Sequence, residues 1–66
     1  MKNVVKVNVV DKIDEMSAAI LNVRNDAAKF DGGNNAAGTR VRVGMQEVKK
    51  LAQDVRNLIT EVKSNR

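Results

Sequence analysis

The stretch Asp31-Gly32-Gly33-Asn34-Asn35 divides a chain of 66 residues into two halves with the same apolar spacing. Glycine readily adopts the left-handed backbone conformation that ends many helices, and asparagine is a good capping residue for the next one. A turn this short brings two helices into an antiparallel pair. We therefore expect a turn at residues 32–34, with Asn34 or Asn35 as the N-cap of the second helix.

Apolar residues recur at alternating intervals of four and three on both sides of this turn. The first ladder is Val9, Ile13, Met16, Ile20, Val23, Ala27 and Phe30, and the second is Val41, Met45, Val48, Ala52, Val55, Ile59 and Val62. Such spacing is typical of a coiled-coil-like seam. It predicts an all-α fold, an antiparallel helical hairpin over residues 9–66, with helices at about 9–31 and 35–64. Phe30 is expected in the core, and Gly38 is expected to permit close packing.

The apolar stripe of the second helix is wider than a two-stranded seam, because Leu51 and Leu58 lie beside it. A wide stripe needs more than one neighbouring helix. A single core of this size supplies only a few kcal/mol, and the chain has no cysteine for a disulfide. We therefore expect a homo-oligomer, a four-helix bundle or a larger assembly, with Leu51, Val55, Leu58 and Val62 at its interface.

The first eight residues read differently from the ladders. Val4, Val5 and Val7 are β-branched and suit an extended N-terminal arm over residues 1–8. Asn8 or Asp11 would then cap the first helix, and the alternative is a helix that begins near Asn3. This start has too little apolar length for a secretory signal, and no apolar run approaches the roughly 18 residues of a membrane span.

The composition argues against an enzyme. The chain has no histidine and no cysteine, so the commonest general base, the thiolate nucleophile and the usual zinc ligands are missing. Its serine and threonine hydroxyls have no histidine to activate them. We therefore predict no catalytic residue, no metal site and no cofactor.

The basic residues are concentrated in the second half of the chain. The net charge is +4, and residues 32–66 carry seven basic and three acidic side chains. Arg42, Lys49, Arg56 and Lys63 recur every seven residues and form one column beside the apolar seam. Such a column can follow a phosphate backbone, or it can flank a helix interface and pair with acids such as Asp14, Glu15 or Asp26. We favour the pairing for Lys49 and Arg56, and phosphate contact for Arg40 and Arg42 near the helix N-terminus.

The turn and the start of the second helix also carry a family resemblance. The run Gly33-Asn34-Asn35-Ala36-Ala37-Gly38-Thr39-Arg40-Val41-Arg42, followed by Gln46-Glu47-Val48-Lys49-Lys50-Leu51, resembles the bacterial histone H1-like proteins, which include the chlamydial protein and small phage relatives. The resemblance covers about residues 30–63. It implies a helical hairpin that binds duplex DNA without sequence specificity, in the bacterial cytoplasm and nucleoid. Arg40, Arg42, Lys49 and Lys50 match basic positions of the family, and Arg56 would continue the footprint.

Two other functions fit the same residues. The chain can be a structural or interaction module, such as a capsid-associated protein of a phage virion or a helical oligomer that binds a partner protein. A weaker alternative is a regulator that docks its amphipathic helix on a host protein. No membrane partner is expected.

Overall fold

A computed structural model describes residues 8–66. Helix α1 spans Val9–Asp31, with 23 residues, and helix α2 spans Asn35–Ser64, with 30 residues. The described part of the chain contains no strand. The predicted all-α helical hairpin is therefore confirmed. Within residues 8–66, neither helix combines the length and the apolarity needed to cross a bilayer.

Each helix begins at an asparagine that caps it. The Asn8 side-chain oxygen accepts a hydrogen bond of 2.8 Å from the Asp11 backbone N–H, so α1 begins at Val9. The Asn34 side-chain oxygen accepts one of 3.1 Å from the Ala37 backbone N–H. Each cap satisfies a donor that has no partner inside its own helix. The remainder of the predicted N-terminal arm, residues 1–7, lies outside the described residues.

The turn depends on one glycine with a positive φ angle. At the end of α1, the Gly32 N–H donates to the Ala28 carbonyl at 3.1 Å, and the Asn34 N–H donates to the Lys29 carbonyl at 3.0 Å. Gly33 lies between these bonds with φ of 108°, a conformation that side chains with a Cβ atom rarely adopt. The chain can therefore reverse direction within three residues.

The two helices run antiparallel, and their contacts define one register. Asp26 pairs with Arg40 and Lys12 pairs with Asp54, and in both pairs the residue numbers add up to 66. Residues 58–64 of α2 therefore extend beyond the first described residue of α1.

The core of the hairpin is small. Among residues 8–66, the buried side chains are Val23, Ala37, Leu51 and Val55. Two glycines allow the helices to approach closely. A Cβ atom at Gly38 would lie 2.6 Å from Cδ1 of Phe30, and one at Gly44 would overlap a methyl group of Val23. The close packing predicted at Gly38 is confirmed.

Two expectations about the first ladder were wrong. Ile13 and Ile20 are each 45% exposed, although the seam pattern places them against α2. Because Val23 packs on Gly44, α1 is rotated so that Lys12, Ala19 and Asp26 share the contact face. Phe30 is 48% exposed and not in the core, because part of its ring lies against Gly38 at the end of the hairpin while the rest meets solvent.

Candidate nucleic-acid interface

The basic column of Arg42, Lys49, Arg56 and Lys63 lies along the solvent-exposed surface of α2. Helical geometry advances 100° per residue, so residues seven apart lie nearly above one another, about 10.5 Å apart along the axis. No carboxylate of the described residues pairs with any member of the column, so the acid pairing expected for Lys49 and Arg56 was wrong. The column is thus a row of free cations over roughly 32 Å.

Lys50 is exposed on the outer surface of α2, about 100° around the helix from Lys49. Gln46, Lys49, Lys50, Gln53 and Asp54 line a shallow depression of about 520 Å³ there. No described carboxylate pairs with Lys50 either. Its ammonium group is therefore accessible to an anion in solvent.

Arg40 differs from the other four predicted contacts. Its Nε donates a hydrogen bond of 2.9 Å to Oδ1 of Asp26 on α1. This pair is partly exposed, with 49% of the Arg40 side chain accessible, so it stabilises the hairpin by only about 0.2–1 kcal/mol. Arg40 is held across the two helices, whereas Arg42 is not.

The hairpin has two broad sides with different character. Helical periodicity, measured from the buried positions, places Ile13 and Ile20 of α1 on the same side as Met45, Ala52 and Ile59 of α2. We call this the apolar side, and the basic column runs along its α2 edge. The opposite side carries Glu15, Asp26, Arg40, Glu47 and Asp54, and both interhelical ion pairs lie there.

Arg24 is a basic residue that the sequence interpretation did not assign to any site. It follows Ile20 by four positions, so it lies near the edge of the apolar side on α1 and is exposed. Its spacing from Ile20 was the signal that could have placed it there.

The residues predicted for an oligomer interface separate into two groups. Leu51 and Val55 are 4% and 9% exposed, because they pack against α1 within a single hairpin. Leu58 and Val62 are partly exposed near the open end. Leu51 and Val55 therefore already belong to the core of one chain.

The described residues offer no group of carboxylates that could hold a metal ion. The exposed side chains of α2 instead carry several positive charges. Such an arrangement can attract and hold a polyanion.

One family model matches most of the chain. It is described as Histone H1-like protein Hc1, and it covers residues 10–65. The chain belongs to this family. The resemblance noted for residues 30–63 is confirmed and extends through α1. No curated protein and no solved structure matches the chain significantly.

Membership in the histone H1-like family indicates a DNA-associated protein and not typically an enzyme. The matched region includes the turn, both glycine contacts and the whole basic column. The residues that the family model matches are therefore the ones that form the hairpin and carry its basic column.

Proposed function

We propose that this histone H1-like chain binds duplex DNA through phosphate contacts, without sequence specificity, and associates with the bacterial nucleoid. The observation that carries the proposal is the exposed column of Arg42, Lys49, Arg56 and Lys63, which has no carboxylate partner among the described residues. Duplex DNA carries about one negative charge per 1.7 Å of its axis. A straight row of cations meets such a surface whatever its base sequence.

The side chains favour contact with the backbone over base reading. The chain has one aromatic residue, Phe30, and no tryptophan or tyrosine. Stacking on unpaired bases needs several aromatic side chains. Phosphate contacts position a protein on DNA but carry no sequence information. Affinity is therefore expected to depend on salt and hardly at all on sequence.

Lys50 and Arg40 extend the proposed footprint unequally. Lys50 is exposed and unpaired among the described residues, so it contributes as the column does. Arg40 must exchange the Asp26 carboxylate for a phosphate before it contributes. We expect the loss of Arg40 to weaken binding less than the loss of Arg42.

The test is a titration of a fluorescein-labelled duplex with the full chain, at several salt concentrations between about 50 and 200 mM. The unmodified protein should bind two duplexes of unrelated sequence equally, with affinity that falls steeply as salt rises. The double variant Arg42→Gln with Lys49→Gln removes two phosphate contacts. Its plot of log affinity against log salt should be flatter by about 1.8, since each contact contributes about 0.9.

A matched control separates the column from net charge. Arg24→Gln with Lys29→Gln also removes two positive charges, but from exposed positions of α1 that pair with no described carboxylate. This control should retain nearly the full salt slope. Equal slopes in the two double variants would mean that total charge matters and position does not. Absence of duplex binding by the unmodified chain at about 50 mM salt would overturn the proposal.

One observation favours a structural or interaction module as the second candidate. Ile13, Ile20, Met45 and Ile59 are 42–45% exposed on one side of the hairpin. An apolar surface of this kind suits attachment to a protein, such as a capsid component of a virion if the chain is phage-encoded. If the duplex titration fails, this module is the function that remains, and the basic column then flanks its interface.

A further inference from the structure

The surface of α2 that points away from α1 is polar and has two glutamines at its centre. We call this surface the outer face. It lies opposite the buried positions Ala37, Leu51 and Val55 of the same helix. At 100° per residue, Gln46 and Gln53 lie within roughly 15° of its centre, and both are exposed. The other uncharged polar residues of the outer face are Asn35, Thr39, Asn57 and Thr60.

Positive charges lie on both sides of the central glutamines. Arg42, Lys49 and Arg56 of the basic column lie on one side of them, and Lys50 lies on the other. The acids of α2 lie roughly 75–115° from the centre of the outer face, and they are Glu47, Asp54 and Glu61. The outer face therefore combines amide groups with cations and keeps carboxylates away from its centre.

The surface of α1 that points away from α2 has a different composition. Leu21 lies near its centre and is 62% exposed, and Val10 on the same surface is 67% exposed. Asp14 lies beside them and is also exposed. An apolar surface with a carboxylate does not attract a phosphate backbone. Of the two helices, α2 is the one whose outer face suits a polyanion.

One amide of the outer face is held by a neighbour. Nε2 of Gln53 donates a hydrogen bond of 2.9 Å to Oδ1 of Asn57, one helical turn further along α2. The Gln53 amide keeps its second N–H and its carbonyl oxygen for another partner. Every base pair presents at least one hydrogen-bond donor and one acceptor in the major groove. A glutamine amide can therefore contact any base pair there, and such contact does not require a particular sequence.

We propose that the outer face of α2 lies in the major groove of duplex DNA, with Gln46 and Gln53 directed at the base edges. An α-helix with its side chains is about 10–12 Å across, which matches a major groove about 12 Å wide and exceeds a minor groove about 6 Å wide. The two glutamines are about 10.5 Å apart along the helix, or about three base-pair steps. The basic column then faces the phosphates of one strand, and Lys50 faces those of the other.

This inference rests on the proposed binding of duplex DNA, and it adds the helix face and the groove. Contact with phosphates alone requires only the cations, and it leaves both grooves open. Insertion of α2 requires in addition that the major groove be free of other groups. The two modes of binding therefore differ in how they respond to changes at the base edges.

Dimethyl sulfate footprinting on the full chain tests which groove is occupied. The reagent methylates N7 of guanine, an atom in the major groove, and N3 of adenine, an atom in the minor groove. At saturating protein and about 50 mM salt, guanine methylation should fall and adenine methylation should not change. If the duplex is bound but guanine methylation does not fall, or adenine is protected, the major-groove position is refuted while the proposed function stands.

A duplex with a filled major groove provides a second measurement on the unmodified protein. Cytosines that carry a glucosylated hydroxymethyl group at C5 obstruct the major groove and leave the number of phosphates unchanged. Affinity for this duplex should be lower by roughly tenfold than for the plain duplex of the same sequence. Equal affinity for the two duplexes would overturn the inference. Failure to bind either duplex would overturn the proposed function and the inference together.

A pair of matched variants tests the two glutamines. Gln46→Glu with Gln53→Glu places two carboxylates against the base edges, and Asn22→Asp with Asn25→Asp adds the same charge at exposed positions of α1. Each change replaces an amide by a carboxylate of nearly the same size, and circular dichroism should show that both variants remain helical. The glutamine variant should bind a plain duplex roughly tenfold more weakly than the asparagine variant. Equal affinities of the two variants would contradict the placement of the outer face.

Discussion

Gly44 offers a sharp test of how closely the two helices approach. A Cβ atom at this position would overlap Cγ2 of Val23, which is 9% exposed and has little room to move. Replacing a glycine inside a helix by alanine normally stabilises the helix by about 1 kcal/mol. Forcing an extra carbon into a tight contact costs about 1–3 kcal/mol, and the branched valine cannot rotate away cheaply. We expect Gly44→Ala to destabilise the protein by about 1 kcal/mol, which lowers the Tm by about 4–8 °C.

The same substitution should change sign when Val23 is shortened. Val23→Ala removes the methyl groups that the new Cβ atom would overlap. On that background, Gly44→Ala should stabilise the protein by about 1 kcal/mol through helix propensity alone. The double-mutant cycle should therefore give a coupling of roughly 2 kcal/mol between the two positions.

Thermal and urea unfolding, followed by far-ultraviolet circular dichroism at one protein concentration, measure all four proteins of this cycle. A constant concentration keeps any assembly equilibrium comparable. Gly38→Ala is the control, because its new Cβ atom meets the Phe30 ring, which is half exposed and can turn outward. It should cost less than Gly44→Ala. If Gly44→Ala raises the Tm of the otherwise unmodified chain, the close approach of Val23 is refuted.

Three further substitutions test the turn, the cap and the core. Gly33→Ala forces a Cβ atom into a backbone with φ of 108° and should destabilise by about 1 kcal/mol or more, whereas Gly32→Ala, at φ of −81°, should have a much smaller effect in the same unfolding assay. Asn34→Ala removes the cap of α2 and should cost about 1 kcal/mol, while the exposed neighbour Asn35→Ala should cost much less. Leu51→Ala, at a side chain 4% exposed, should cost about 2–5 kcal/mol and abolish most of the helical signal at elevated temperature.

The turn and the two caps could be predicted because they are local. Gly33 and Asn34 act through bonds to residues within five positions, so their chemistry is visible in a short stretch of sequence. The sequence offered Asn34 and Asn35 equally as the N-cap of α2, and the structure shows that Asn34 is the cap. Helix boundaries follow from such local bonds.

The rotation of α1 could not be predicted from its apolar ladder. A seven-residue repeat drifts by about 20° per heptad on a straight α-helix, so a ladder leaves the contact face loosely defined. The face is set by a contact between distant residues, Val23 on Gly44. That contact turns Ile13 and Ile20 partly into solvent.

In the candidate site, too, features within one helix could be predicted and contacts between the helices could not. The basic column follows from a spacing of seven along one helix, so the sequence alone predicts it. The pairing of Arg40 with Asp26 depends on the register between two helices, and the sequence interpretation named Asp26 as a partner of Lys49 or Arg56 instead. Side-chain pairs between the two helices could therefore be identified only from the structure.

The short turn also has a kinetic consequence. Phe30 and Gly38 are eight positions apart, Asp26 and Arg40 are 14 apart, and Lys12 and Asp54 are 42 apart. Each contact farther from the turn closes only a short additional segment once the previous contact has formed, and the entropy of loop closure grows slowly with length. The hairpin can therefore zip from its turn towards its open end, on the microsecond-to-millisecond scale of proteins rich in local contacts. Changes near Gly33 should slow folding, while changes near the Lys12 and Asp54 pair should speed unfolding.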